Sequence, residues 1–115
     1  MKSVVIQLSE PLPWFSKTIE KLVVKEPSGA LYLDLGEPRF FVRAADGTIF
    51  PIEREDVVAK YLGQIVVYEN GEHVDGGAVP LLRALPLADT MALKGALLDF
   101  FVDAASTTSR ENSGL

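Results

Sequence analysis

The sequence predicts a small single-domain α+β fold: an N-terminal antiparallel hairpin, which a second hairpin could extend, packed with three to four helices. Three observations carry that expectation. β-Branched residues crowd two early runs, 4–8 and 18–25, as strands require. Asp46-Gly47 separates two apolar runs, the strongest short-range hairpin signal. From Glu53 onward the apolar spacing changes to three and four residues, the period of a helix buried on one face. The 115 residues fit one domain over 1–105, followed by a polar tail at 106–115.

Residues 4–8 (VVIQL) read as the first strand. Pro11 and Pro13 break it over 9–16. In the second strand, 18–25, Leu22 and Val24 share one face and Val23 and Lys25 the other. The hairpin tip holds Trp14 and Phe15, although turns are normally polar. Either both rings fold back over the hairpin and complete the core, or they form an exposed contact patch.

Glu26-Pro27-Ser28-Gly29 signals a helix entry, with Pro27 suited to the first turn. A short helix then runs through Leu31 and Leu35 to a stop at Gly36 and Pro38. The second hairpin spans 39–52, and Pro51 places its strand at an edge. Val57, Val58, Tyr61, Leu62 and Ile65 mark a helix over 53–68, whose end is blurred by Ile65-Val66-Val67. A loop follows at 69–77, then a short helical turn at 80–84.

The last helix, 85–105, is the most apolar segment. At about 100° per residue its apolar side chains sweep roughly 200°, against about 100° for an ordinary core-facing stripe. They divide into a stripe of Leu87, Met91, Leu98 and Val102 and a stripe of Leu93, Leu97, Phe100 and Phe101. Both stripes can be buried within the domain. Alternatively, the Phe100-side stripe binds another chain, since a large exposed apolar patch marks an interaction site. The candidate partner-binding residues are therefore Leu93, Leu97, Phe100 and Phe101, with Trp14 and Phe15 at the hairpin tip.

Composition narrows the function classes. The formal charge is −5 with no basic cluster, which argues against binding nucleic acid. Without cysteine there is no disulfide framework or thiolate site. No apolar run approaches the roughly 20 residues that span a bilayer, and the N-terminus lacks a signal-peptide pattern. The expectation is a soluble protein of the cytoplasm.

No catalytic constellation is visible either. His73 stands alone in a Gly- and Asp-rich loop. Glu69, Glu72 and Asp75 lack calcium-loop spacing. Glu53, Glu55 and Asp56 fall at a helix start, where carboxylates suit the helix dipole. No phosphate-loop, dinucleotide-binding or hydrolase motif occurs. A protein without enzymatic activity, cofactor or metal is expected.

The order of segments resembles a known group. A hairpin ends in Lys25-Glu26-Pro27, a short helix closes at Leu35-Gly36-Glu37-Pro38, and LPLADTMALKGALLDFF comes near the end. This is similar to the small tail assembly chaperones of long-tailed bacteriophages, in particular the Mu-like tail assembly protein E/41/14 group. The resemblance covers roughly residues 3–104. Two features depart from it: the apolar tip Pro11 to Phe15, and the aromatics Phe40, Phe41 and Phe50 of the second hairpin.

The resemblance implies a role rather than an active site. Such proteins bind the long helical tape measure protein, keep it soluble in the bacterial host cytoplasm while tail tube protein polymerises around it, and are absent from the virion. A longer frameshifted form is common in the group, and the segment after Ala105 is where such a fusion would fall. Self-association as a homo-oligomer through the same apolar stripe is compatible with this. The competing expectation is a small structural head–tail or tail-tube-associated virion protein.

Overall fold

The computed structural model describes the backbone of residues 2–113 and the side chains of 2–106. Nine elements follow in the order β1 (Ser3–Trp14), β2 (Lys17–Lys25), α1 (Gly29–Leu35), β3 (Arg39–Arg43), β4 (Ile49–Glu53), α2 (Glu55–Ile65), β5 (Val66–Tyr68), α3 (Ala78–Ala84) and α4 (Leu87–Ser113). The α+β architecture is the one expected. One antiparallel sheet has the order β1-β2-β5, and β3-β4 form a separate two-stranded sheet.

The first hairpin is longer than the prolines suggest. β1 continues through Pro11 and Pro13 to Trp14, with an irregularity between Gln7 and Leu12 that absorbs extra residues. Proline lacks a ladder donor, but β1 is an edge strand, where proline and bulges are tolerated. Only Phe15 and Ser16 remain as the turn between Trp14 and Lys17. Phe15 takes a left-handed φ of 55°, a conformation disfavoured for a side chain with a Cβ.

β2 is the central strand. Leu22 and Val24 point into the core together with Val66 and Tyr68 of β5, their register partners. The run Ile65-Val66-Val67 resolves an ambiguity in the sequence. The helix ends at Ile65, and the β-branched residues become β5. Tyr61 and Leu62 of α2, Leu81 of α3 and Leu93 and Leu97 of α4 close the core over this sheet face. Gly63 lets α3 approach α2, because a Cβ there would lie 2.9 Å from Val79 Cγ2.

Ser28 caps α1 by accepting the Leu31 N–H at 3.1 Å, a helix start of the usual kind. Pro27 therefore precedes the cap instead of occupying the first helical turn. α1 stops at Gly36, whose φ of 80° suits glycine. In the β3–β4 hairpin, Gly47 at φ 89° follows Asp46, whose carboxylate accepts the Thr48 N–H at 2.9 Å. The Ala44 N–H donates to Thr48 O and the Gly47 N–H to Ala44 O. This is the three-residue loop with a left-handed glycine, not the two-residue turn.

α4 packs on β1, β2 and α2. Buried Asp89 in its first turn accepts both the Ser9 N–H at 2.8 Å and the Ser9 Oγ–H at 3.0 Å. It thereby pins the irregular part of β1 to the helix. Lys94 forms ion pairs with Glu53 of β4 and Glu55 of α2, joining the second hairpin to the body. Glu53 thus ends a strand, and the carboxylates in the first turn of α2 are Glu55 and Asp56. The backbone of α4 runs on to Ser113. The expected polar tail at 106–115 lies for the most part outside the residues whose side chains are described.

The radius of gyration is 16.0 Å, against about 13 Å for a compact domain of this length. The long α4 and the outlying β3–β4 hairpin account for the difference.

Candidate partner-binding site

The two stripes of α4 are disposed opposite to the partner-binding expectation. Leu93 and Leu97 are fully buried and Phe100 nearly so, all within the main core. They meet the sheet and α2, so Leu93 and Leu97 offer nothing to a partner. This corrects their assignment to a docking surface. On the other stripe Leu87, Met91 and Val102 are 75%, 60% and 48% exposed, while Leu98 is buried.

The tip aromatics also separate. Trp14 is half-buried against the core, and its indole N–H donates to Asp75 O at 2.9 Å. It folds back as one of the two readings required. Phe15 stays 70% exposed, edge-on to Trp14 with ring centroids 5.6 Å apart. Its ring also lies against Gly76, where a Cβ would come within 3.0 Å of it.

Phe101 occupies a different environment from Leu93 and Leu97. It is half-buried, edge-on to Tyr61 at 5.5 Å and tilted against Tyr32 at 5.9 Å. Such aromatic contacts fix ring positions beyond simple area burial. The buried Tyr61 hydroxyl donates to Gly36 O at 2.7 Å, which anchors the end of α1 beside α4.

Phe101 and Tyr32 both line an open cleft of about 660 Å³. Phe100, Phe101, Ala104 and Ala105 of α4 line one side, and Pro27 and Tyr32 line the other. Glu26 and Glu37 also line it. Glu26 accepts the Lys2 backbone N–H at 3.3 Å, and Glu37 accepts the Tyr32 hydroxyl at 2.7 Å. That hydrogen bond, with the adjacent negative charge, holds the Tyr32 phenol above its ordinary pKa. Burial, followed by the charge of Glu37, raises Tyr61 in the same direction.

Sequence reasoning placed Phe100 and Phe101 at a binding surface, and both line this cleft. It gave no binding role to Glu26, Pro27, Tyr32 or Glu37. Three of those four belong to the Glu-Pro steps, which were the available signal.

The second hairpin carries more apolar surface. Phe41 and Ile49 lie on one face with Pro51, and Phe40 and Phe50 lie on the other with Val42 and Ile52. Phe40, Phe41, Ile49 and Phe50 are all exposed.

Elsewhere the polar groups have structural roles. The Tyr68 hydroxyl donates to the Asp75 carboxylate and accepts the Asp75 N–H. Lys17 lies 4.1 Å over the Tyr68 ring. His73 is exposed. Among the described residues, no cluster of His, Asp or Glu could hold a metal ion, and no helix is long and apolar enough to cross a membrane. The chain matches no known protein-family model, no curated protein and no solved structure.

Proposed function

We propose that this chain is a bacteriophage tail assembly chaperone, a binding protein without catalysis that shields the tape measure protein until the tail tube closes around it. One observation carries the reading. The segments behind the sequence resemblance, Lys25-Glu26-Pro27 and Leu35-Gly36-Glu37-Pro38 on either side of α1 and, much later in the chain, the terminal Phe100-Phe101, meet on one open cleft. Glu26, Pro27, Glu37, Phe100 and Phe101 all line it.

The physical requirements of the role agree with that surface. A long helical client exposes apolar stripes that aggregate unless covered. Covering them needs an accessible apolar surface and a charged exterior that keeps complexes apart. The net charge of −5 supplies the second.

Co-expression with the tape measure protein of the same phage or prophage tests the reading. The tape measure protein should move from the pellet to the soluble fraction when this chain is present. An unchanged pellet overturns the proposal. Recovery of the chain in stoichiometric amount from purified virions also contradicts it.

A further inference from the structure

We infer that the cleft between α1 and the C-terminal half of α4 takes a helical segment of its partner that presents an apolar anchor flanked by lysine or arginine. The inference rests on the chaperone reading and specifies the chemistry of the client.

The apolar part follows from the floor. Two aromatic rings stand beside the consecutive small residues Ala104 and Ala105, leaving room for inserted side chains. A volume of about 660 Å³ falls within the usual range for sites that enclose a ligand.

The charge follows from the rim. Among the described residues, Glu26 and Glu37 are the ionisable groups lining the cleft with the tyrosine, and no lysine or arginine lines it. Lys2 and Lys25 neighbour Glu26 at the end of the sheet. Neither forms an ion pair with Glu26 among the described residues, where the pairs formed are Lys17–Asp75, Lys21–Glu69 and those of Lys94. Arg39, two residues beyond Glu37, has its guanidinium 5.7 Å over the Phe41 ring. Each rim carboxylate makes one hydrogen bond and has acceptor sites left over. A cation on the partner would complete them.

The helix follows from the backbone. An extended peptide needs a free strand edge to take up its N–H and C=O groups. At the cleft β2 offers none, since the strand ends at Lys25 and the Glu26 N–H beyond it already donates to Lys2 O. A helix satisfies its own backbone and needs only an apolar groove. A second copy of this chain is a poor occupant. Each copy carries a net charge of −5, and like charges repel across an acidic rim.

Labelled peptides of about 20 residues, long enough for five helical turns, tiling the tape measure protein provide the test. Binding is read by fluorescence anisotropy at low salt and at about 0.5 M salt, where surface charges are largely screened. The tightest peptides should carry an apolar helical stripe flanked by Lys or Arg and weaken in high salt. Glu26→Gln combined with Glu37→Gln should weaken them about three- to tenfold, as expected for two partly exposed ion pairs, and remove most of the salt dependence. Ala105→Trp, at an exposed helix position, should fill the cleft and weaken binding more than about tenfold with an unchanged urea midpoint.

Tight peptides without cations, or unchanged affinity in both variants, overturn the inference. So does binding that appears only when 107–115 is deleted, which would make the chain's own C-terminus the occupant. Dimerisation abolished by Ala105→Trp would assign the cleft to a second copy. If both variants still keep the tape measure protein soluble, the chaperone reading survives and this inference fails. If even the unaltered chain neither binds a peptide nor solubilises the protein, both fail.

Discussion

Leu97→Ala, set against Met91→Ala on the same helix, separates the buried stripe of α4 from the exposed one. Leu97 is fully buried between the sheet and α2, whereas Met91 is 60% exposed. Removing a buried leucine side chain and leaving a partly collapsed cavity costs about 3 kcal/mol. Small domains are stable by only about 5–15 kcal/mol. With a urea slope of about 1.5 kcal/mol per molar, Leu97→Ala should lower the unfolding midpoint by about 2 M. An exposed substitution changes stability by less than about 0.5 kcal/mol, so Met91→Ala should move the midpoint by less than about 0.3 M. Urea titration followed by far-UV circular dichroism measures both. Equal shifts, or a larger one for Met91→Ala, would refute the assignment of the stripes. For the same reason Leu93→Asp with Phe100→Asp should unfold the protein rather than selectively abolish binding.

Asp89→Ala should cost about 3 kcal/mol. It removes two hydrogen bonds from Ser9 to a buried carboxylate, each worth about 1.5 kcal/mol or more, and Asp89→Asn should recover part of that in the same titration. Tyr61→Phe should cost about 1 kcal/mol at pH 7, because Gly36 O loses its partner. Tyr61 and Lys94 both have folded pKa values raised above the ordinary 10.0 and 10.5. Their stabilisation is therefore complete below those values and is lost as pH rises through the folded ones. The urea midpoint should fall above pH 10, less steeply in Tyr61→Phe, and parallel curves would refute the linkage. Phe15→Gly should leave the urea midpoint unchanged or raise it by up to about 0.7 M, equivalent to about 1 kcal/mol, because a left-handed φ of 55° is free for glycine and strained for phenylalanine. A clear loss would mean that the ring contacts with Trp14 and Gly76 outweigh the strain.

The elements governed by local rules were legible in the sequence. Val57, Val58, Tyr61, Leu62 and Ile65 form the buried face of α2 at the expected spacing, and Asp46-Gly47 closes a hairpin. Elements decided by partners were not. Residues 66–68 become a strand because β2 offers them an open edge, which local spacing cannot reveal. Likewise Pro11 and Pro13 remain in β1 because their strand lies at an edge.

The α4 stripes follow the same pattern. Periodicity measured how much apolar surface α4 carries, but not which side meets the sheet. One sequence signal was available. Leu93, Leu97 and Phe100 run unbroken at helical spacing, while Lys94 and Gly95 interrupt the stripe through Leu87, Met91, Leu98 and Val102. The cleft was legible only in pieces, because residues 26–37 and 100–105 meet through tertiary packing around Tyr61.

Dilution of denatured tape measure protein into buffer, followed by light scattering, tests most directly whether the cleft shields the client. The unaltered chain should suppress the scattering in proportion to its concentration, and the Ala105→Trp chain should leave most of it. Equal suppression by both chains would contradict the assignment of the cleft. Suppression by neither would contradict the chaperone role itself.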